Sequence, residues 1–254
     1  MIGDEKIRKL SRAHVILFGL GGVGSFAAEA LARSGLGTLS LVEYDRVALS
    51  NRNRQLPALS STVGKAKIEV ASERLKDIHP EMHLHVYPIK MTGDNLPAIL
   101  DSPEGLPDFI ADAIDDLPAK AALIAEAKER GIPIISSMGA GFRLDPSRLT
   151  ISDISQTHTC PLARKLRRNL REKGIDGGVP VVWSGEKPAA FCRSTVSEYE
   201  CSEEAAGYAA NAANVANDEG AGGIPDIAGP ASMIFVPAAA GLLMASYIVR
   251  QLIA

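Results

Sequence analysis

A run of glycines directly after a short apolar segment constrains the fold of this chain more than any other feature of its sequence. Residues 15–18, Val-Ile-Leu-Phe, have the composition of a buried β-strand, and residues 19–24, Gly-Leu-Gly-Gly-Val-Gly, follow at once and lead into a helical pattern. Glycines let a ligand approach the backbone closely, and the free amides at the start of a helix attract anions. This order of strand, glycine loop and helix predicts a phosphate-binding turn. Its candidate ligand-binding residues are Gly19, Gly21, Gly22 and Gly24.

Strand and helix patterns alternate through the first 141 residues. This alternation is typical of parallel strands joined by right-handed helical crossovers. We therefore expect an α/β fold, with a Rossmann-like, mostly parallel sheet and helices on both faces, whose ligand lies beyond the carboxyl ends of the strands. The apolar patterns place helices at 22–34, 63–78 and 118–130, and further strands at 39–42, 82–87, 107–113 and 132–136.

The pattern changes after residue 141, where we expect a smaller extension that belongs to the same domain. Residues 189–230 are rich in Ala, Asn, Gly and Ser, which predicts a mobile loop. The apolar stretch 233–249 is marginal in length for a membrane span, which takes about 20 residues. We expect it to form a buried or dimer-interface helix, and we do not expect a membrane contact. The predicted elements are strands at 149–154 and 179–183, a helix at 160–173 and a final helix at 238–252.

Net charge and cysteine content exclude several classes of protein. The chain of 254 residues has a net charge of −3, so the protein as a whole does not attract nucleic acid. Its cysteines, Cys160, Cys192 and Cys201, are widely spaced and form no Cys-x-x-Cys pair. A disulfide framework or a four-cysteine zinc site is therefore not expected, and the composition fits a reducing cytoplasm. The charged first residues lack the apolar core of a signal peptide, which also predicts a cytoplasmic protein.

Polar residues after the second predicted strand indicate a nucleotide. Glu43 and Asp45 end that strand, and a carboxylate in this position can accept hydrogen bonds from ribose hydroxyls. These features fit an NAD site as well as an ATP site. Asn51 and Arg54 follow shortly afterwards, close to where a triphosphate would extend from the glycine loop. An arginine there can bind phosphate as a fork and stabilise the charge that develops during transfer.

Two more residues favour ATP over NAD. Lys67 is at the start of the following helix, where its ammonium group could reach the same phosphates. Asp115 ends the fourth strand and could bind a Mg²⁺ ion that bridges phosphate oxygens. Taken singly, Arg54 and Lys67 fit solvated surface charges, and Asp115 and Asp116 fit a helix cap. Together, at the strand ends of one sheet, they predict an ATP–Mg²⁺ site whose catalytic residues are Arg54, Lys67 and Asp115.

Five segments resemble, in this order, the adenylation site of the ubiquitin-activating and molybdopterin-synthase adenylyltransferase superfamily. They are residues 19–24, 43–47 (Glu-Tyr-Asp-Arg-Val), 50–55 (Ser-Asn-Arg-Asn-Arg-Gln), 63–67 (Val-Gly-Lys-Ala-Lys) and 113–116 (Ala-Ile-Asp-Asp). Within that superfamily the chain is most similar to the tRNA threonylcarbamoyladenosine dehydratase family. The resemblance covers most of residues 3–188 and the last helix. The segments that carry the closer similarity are 30–35, 135–141, 144–146, 153–154, 160–164 and 184–188.

The resemblance implies an ATP-dependent cyclisation on tRNA. The substrate of that family is an adenosine beside the anticodon that carries a threonylcarbamoyl group. Its carboxylate would attack the α-phosphate of ATP–Mg²⁺, and an internal nitrogen would then close a ring and expel AMP. Residues 1–141 would form the ATP-binding domain, in which Asp115 would bind the metal and Glu43 the ribose, although the family usually has aspartate at this position. The phosphates would be bound by Asn51, Arg54 and Lys67.

One strongly basic helix predicts a contact with tRNA. The helix at 160–173 carries six cations and one acidic residue, Glu172. On a protein of negative net charge, such a local patch could bind the tRNA backbone, and a solvated helix face is the alternative interpretation. The candidate tRNA-binding residues are Arg164, Lys165, Arg167, Arg168 and Arg171.

The resemblance further implies a homodimer, and it leaves a sulfur-transfer partner open. Two other functions fit the sequence. One is an adenylyltransferase that activates the C-terminus of a ubiquitin-like sulfur-carrier protein. The other is a relative that binds nucleotide without turnover.

Overall fold

The protein is described by a computed structural model, which covers residues 3–101, 105–188 and 232–254. Its strands are β1 (His14–Phe18), β2 (Thr38–Val42), β3 (His83–Tyr87), β4 (Phe109–Asp112), β5 (Ile134–Ser137), β6 (Leu149–Asp153) and β7 (Pro180–Ser184). Its helices are α1 (Asp4–Leu10), α2 (Gly24–Arg33), α3 (Lys67–Ile78), α4 (Leu96–Leu100), α5 (Leu117–Glu129), α6 (Pro161–Arg171) and α7 (Phe235–Leu252).

The seven strands of the described part form one sheet in the order β3-β2-β1-β4-β5-β7-β6. Neighbouring strands are parallel except for β6, which runs antiparallel to β7 at the edge. The expected α/β fold with a mostly parallel sheet is therefore confirmed. The chain moves outward from β1 to β3 and then returns past β1 to β4, so the strand order reverses between β1 and β4. Ligands of open parallel sheets bind at such a reversal point.

Alternation along β1 divides the core into two layers. Val15 and Leu17 pack in one cluster with residues of α2, α3 and α7, whereas Ile16 and Phe18 pack in a second cluster with residues of α4, α5 and α6. All four side chains are buried. A parallel strand covered on both faces needs a continuous apolar run, which this segment has. Burying each such side chain stabilises the fold by about 1.5–3 kcal/mol.

Helix α3 begins at Lys67, four residues later than predicted. The preceding residues pair with the segment after β2: the amide of Val47 donates to the carbonyl of Lys65 at 2.9 Å. The amide of Lys67 then donates to the carbonyl of Asp45, also at 2.9 Å. These bonds keep the chain extended until Lys67 and fix that residue beside Asp45.

The other predicted elements lie where expected, with ends shifted by three residues or fewer. The short helix α4 had no prediction. Helix α7 begins at Phe235 and not at 238, and Pro237 lies in its first turn. A proline is tolerated there, since amides of the first turn have no acceptor within the helix.

Helix α7 is the one helix in the described residues that is long and apolar enough to cross a membrane, by length and composition. In the fold it packs on α2, and Met244 and Ile248 are fully buried in the core. This packing agrees with the expected buried helix. The predicted mobile loop at 189–230, with Cys192 and Cys201, lies outside the described residues.

Candidate active site

A cavity of about 600 Å³ lies at the carboxyl ends of β1, β2, β4 and β5. The glycine loop forms one wall, and the loop after β5 forms another. The cavity therefore spans the point where the strand order reverses, and its volume is typical of small-molecule sites. The predicted site residues that line it are Gly19, Gly21, Gly22, Glu43, Asp45, Asn51, Arg54, Lys67 and Asp115.

Gly24 is buried and does not line the cavity. A Cβ at this position would lie 1.8 Å from the carbonyl oxygen of Gly19, a distance that no side chain can occupy. Gly24 thus allows α2 to start directly against the loop, which is the packing role of the last glycine in such turns. Gly24 therefore has a packing role and does not make the predicted contact with a ligand.

Glu43 organises the glycine loop from below. Its carboxylate is buried, and Oε2 accepts a hydrogen bond from the amide of Leu20 at 2.8 Å. Oε1 accepts from the amides of Tyr44 at 2.8 Å and Asp45 at 2.9 Å. A carboxylate can accept about four hydrogen bonds, so one acceptor site is left for a ribose hydroxyl. Glu43, which is predicted to bind the ribose, therefore also fixes the shape of the glycine loop.

Tyr44 lies at the acidic rim of the cavity. Partial burial raises the pKa of its hydroxyl, and the carboxylates of Asp45 and Glu43 raise that pKa further. Negative neighbours disfavour the phenolate. The Tyr44 hydroxyl therefore keeps its proton at neutral pH and can donate a hydrogen bond.

Lys67 is paired with Asp45 at the cavity wall. The Lys67 Nζ atom lies 2.8 Å from Asp45 Oδ2, and the side chains are 6% and 46% exposed. The lysine is therefore buried while its partner faces water. Lys67, which is predicted to bind phosphate, therefore lies at the cavity wall. It is held by the carboxylate of Asp45, which water can solvate if the lysine moves away.

Arg54 lies over the glycine loop. Its Cγ atom is 3.3 Å from the position that a Cβ of Gly22 would take. Its Nη1 atom donates to the carbonyl of Ser50 at 2.9 Å and to Oδ1 of Asn53 at 2.8 Å. Nearby Asn51 is buried, and its Oδ1 accepts from the amide that opens its own turn. The turn therefore holds Arg54 against the glycine loop at the wall of the cavity.

The adjacent aspartates after β4 have separate roles. Asp116 caps α5, because its Oδ1 accepts a hydrogen bond from the amide of Ala119 at 2.9 Å. Asp115 is exposed and lines the cavity. Within the described residues, the structure shows no hydrogen bond or ion pair to its side chain. The capping alternative therefore holds for Asp116, and Asp115 is available to a ligand.

A buried polar network supports this turn, and the sequence patterns did not indicate it. Lys120 Nζ lies 2.8 Å from Asp112 Oδ2 and 3.1 Å from Ser136 Oγ, and all three side chains are fully buried. Ser136 Oγ donates to the same carboxylate at 2.6 Å. The next residue of β5, Ser137, lines the cavity, and Ser136 does not. Neighbouring residues of a strand point to opposite faces of the sheet, so a difference of one position decides which serine faces the cavity.

The donors at this site fit a Mg²⁺ ion that arrives with ATP. No group of three His, Cys, Asp or Glu side chains in the described ranges could hold a metal. Asp115 offers one accessible carboxylate, and Mg²⁺ usually binds through one or two carboxylates together with phosphate oxygens and water.

The loop after β5 brings an unpredicted cation to the cavity wall. Arg143 lines the cavity and is 3% exposed. Its Nε donates to the carbonyl of Glu186 at 3.2 Å, and Nη1 donates to the carbonyls of Gly139 and Gly141. Its Nη2 is buried and has no hydrogen-bond partner among residues 3–101, 105–188 and 232–254. The only sequence signal was its place directly after a glycine-rich segment.

Cys160 also lines the cavity, as a buried free thiol at the start of α6. This position agrees with the predicted helix at 160–173, which begins at Cys160.

Four of the five candidate tRNA-binding residues are exposed on α6, and Arg167 is not. Arg167 Nη1 donates to the carbonyl of Thr157 at 2.8 Å and also to its hydroxyl, which attaches the helix to the preceding loop. Arg168 and Arg171 have loose ion pairs with Glu172 at 3.3 Å and Asp176 at 3.8 Å. Such exposed pairs exchange readily with phosphate. The exposed cations are Arg164, Lys165, Arg168 and Arg171.

Comparison with known proteins places this site in a family. The model of the ThiF family matches residues 1–254. The tRNA threonylcarbamoyladenosine dehydratase of Bacillus subtilis is 40% identical over 255 aligned residues, which cover 99% of this chain and 91% of that protein.

Solved structures agree with this assignment. The structure of E. coli tRNA N6-threonylcarbamoyladenosine dehydratase in complex with ATP has a TM-score of 0.79 at 31% identity, covering 98% of this chain and 89% of that chain. The same protein in complex with AMP gives a TM-score of 0.78 at 32% identity, with the same coverage. The chain therefore belongs to the ThiF family and, within it, to the tRNA threonylcarbamoyladenosine dehydratases.

Proposed function

We propose that this protein uses ATP to dehydrate threonylcarbamoyladenosine in tRNA to a cyclic base. The observation that carries the proposal is the convergence of the glycine loop, Arg54, Lys67 and Asp115 on one cavity. Proteins similar along nearly the whole chain bear the name of this reaction, and one of them has been solved with ATP.

The proposed chemistry converts a carboxylate into a leaving group. A carboxylate oxygen of the substrate attacks the α-phosphorus of ATP, and the bond from that phosphorus to pyrophosphate breaks. An internal nitrogen of the threonylcarbamoyl group then attacks the acyl carbon, loses its proton and expels AMP. The net change is ring closure with loss of one water, whose oxygen leaves in AMP.

This reaction needs neutralisation of phosphate charge more than it needs a protein nucleophile. Arg54 would contact the phosphates from above the glycine loop, together with Asn51. Lys67 would exchange Asp45 for a phosphate oxygen, since Asp45 is half exposed and can be solvated. Asp115 would hold Mg²⁺, which would supply further positive charge to the phosphates.

The tRNA would approach along α6. Its exposed cations form a local basic surface on a protein of net charge −3, and phosphate contacts of this kind supply much of the affinity for RNA. Arg167 would hold the helix in place and would not contact RNA, because its guanidinium is bonded to the loop before α6.

We further propose a cytoplasmic homodimer in which residues 1–141 form the adenylation module and residues 142–254 complete the same domain. Strands β6 and β7 support the second point, because they extend the sheet that holds the glycine loop. No sulfur-transfer partner forms part of the proposal.

The proposal is tested with purified protein and tRNA that carries threonylcarbamoyladenosine. We expect ATP-dependent loss of one water from the modified nucleoside by mass spectrometry, with one AMP and one pyrophosphate formed per ring. The Arg54→Ala variant should lose most of this activity, whereas Arg148→Ala, an exposed arginine away from the cavity, should keep it.

Two results would contradict the proposal. If pyrophosphate exchange is stimulated by a sulfur-carrier protein and not by modified tRNA, the protein is an adenylyltransferase of that carrier. If ATP binds without any turnover in either assay, it is a nucleotide-binding relative.

A further inference from the structure

Arg143 is a buried cation that is bonded to main-chain carbonyls. Three main-chain carbonyls, those of Gly139, Gly141 and Glu186, accept hydrogen bonds from its Nε and Nη1 atoms. Within the described residues, no carboxylate oxygen forms an ion pair with it. The carboxylate of Glu186 is bonded to the amides of Leu144 and Asp145. The guanidinium is thus held in a fixed orientation by neutral groups.

A guanidinium in this environment favours an anion. Burying a charge is costly unless it is paired, and carbonyl groups compensate only part of that cost. In the part of the chain that the structure describes, Nη2 is the atom of the fork that lacks a hydrogen-bond partner. Because Arg143 lines the cavity, an anionic ligand there can supply the missing partner. Nη2 is enclosed, so residues 139–143 would have to shift slightly as the ligand binds.

The position of Arg143 suggests which anion this is. Glu43, the candidate ribose ligand, follows β2, whereas Arg143 follows β5 on the other side of the reversal point. Strand β5 lies two strands from β1, or about 10 Å at the usual strand spacing. A nucleotide that extends from Glu43 across the glycine loop would therefore leave the Arg143 end of the cavity to the second substrate.

We propose that Arg143 binds the carboxylate of the threonylcarbamoyl group and presents it to the α-phosphate. This inference rests on the proposed function. The geometry offers one free nitrogen of the guanidinium and not two, because Nε and Nη1 are already bonded to carbonyls. One oxygen of the carboxylate would accept a hydrogen bond from Nη2, and the other would stay free to attack phosphorus. A bidentate arginine contact would engage both oxygens and would weaken the nucleophile.

The experiment compares Arg143→Met and Arg143→Lys with Arg148→Met as a matched control. Arg148 is in the same loop, but it is exposed, pairs with Asp145 at 3.3 Å and does not line the cavity. We expect Arg143→Met to raise KM for the modified tRNA about 10- to 100-fold, as for loss of a hydrogen bond between charged groups. The affinity for ATP should change less than about twofold. Arg143→Lys should recover part of the loss, and Arg148→Met should behave as the unaltered protein.

Binding of the free nucleoside separates this inference from the proposed function. The probes are threonylcarbamoyladenosine and its methyl ester, which has the same shape without the negative charge. We expect the unaltered protein to prefer the acid in the presence of a non-hydrolysable ATP analogue, and Arg143→Met to bind both equally. Equal binding by the unaltered protein, or an unchanged preference in Arg143→Met, would overturn the inference even if the enzyme is active. If tRNA is not converted but the preference for the acid is seen, the proposed reaction fails while the carboxylate site stands.

Discussion

Two lysine–aspartate pairs in this molecule have the same length and different surroundings. Lys67 and Asp45 are 2.8 Å apart at the cavity wall, and Lys120 and Asp112 are 2.8 Å apart beneath it. The Asp45 side chain is 46% exposed, whereas both side chains of the second pair are 0% exposed. Water can replace Lys67 at Asp45, but no solvent can replace either member of the buried pair.

The difference shows that burial, and not distance, decides what an ion pair does here. Breaking a fully buried pair leaves an uncompensated charge in the interior, so Lys120 and Asp112 act as a fixed clamp between β4, β5 and α5. A half-exposed pair contributes little to stability and can open when a better partner binds. Lys67 can therefore exchange a carboxylate for a phosphate, as the proposed reaction requires.

The largest effect is expected from breaking the buried clamp. Lys120→Met should lower the free energy of unfolding by about 3–5 kcal/mol, because Asp112 would lose its partner in the buried ion pair. The paired change Lys120→Met with Asp112→Asn should recover most of this loss, since both groups are then neutral and the amide can still bond to Ser136. Urea unfolding measures both variants. A loss below about 1 kcal/mol in the single variant would show that the interior admits water at this site.

For the pair of Lys67 and Asp45, we expect a small effect on stability and a large effect on catalysis. Lys67→Met should cost less than about 1 kcal/mol of stability, because Asp45 can be solvated. The stabilisation of the transition state by this variant should fall by about 2.7–4 kcal/mol, by analogy with the loss of a hydrogen-bond donor to developing charge. Pyrophosphate exchange measures this loss, and urea unfolding measures the change in stability. Equal losses in both assays would mean that Lys67 is structural, like Lys120.

The adjacent aspartates above the clamp should separate in the same way. Asp116→Ala removes the cap of α5 and should cost about 1 kcal/mol of stability with little change in the Mg²⁺ dependence of ATP binding. Asp115→Asn should leave stability unchanged and weaken that Mg²⁺ dependence. Calorimetric titration of ATP at several Mg²⁺ concentrations measures this, and an unchanged response in Asp115→Asn would exclude it as the metal ligand.

The smallest effect is expected at an ion cluster on the surface. Glu29 is bonded to Arg74 at 2.6 Å and to Arg33 at 2.9 Å. The hydrogen bond from Arg74 lowers the pKa of Glu29, partial burial opposes this, and Arg33 lowers it further. Its stabilising effect is therefore present above the unfolded-state pKa and is lost as the pH falls through the lower folded-state pKa. Glu29→Gln should cost less than about 1 kcal/mol at pH 7 and nothing at strongly acidic pH. A difference that persists in acid would assign the effect to packing.

Local patterns predicted the fold and half of the site. The apolar run of β1 and the glycines after it are sequence-local signals, so the glycine loop and the residues that line the cavity beside it could be placed from the sequence. Asp115 could be placed at the same edge because it follows a strand whose end is visible in the sequence. These predictions needed only periodicity and the rule that parallel strands end at the same edge.

The remaining features depend on three-dimensional packing. Lys120 and Arg143 look like surface cations in the sequence, and only the placement of α5 and of the loop after β5 buries them. Ser136 and Ser137 differ by one position, and the pleat decides which of them faces the cavity. Gly24 has the spacing of a ligand-binding glycine, but the approach of α2 to Gly19 determines its role.

Contact between segments that are far apart in the chain has a consequence for how the glycine loop is formed. Pro237, in the first turn of α7, lies 3.2 Å from the position that a Cβ of Gly22 would take, and Asn53 donates to the carbonyl of Ser232. The glycine loop therefore has its complete surroundings only after α7 has packed on α2. A change that loosens this packing would disturb the loop without altering any residue of the loop itself.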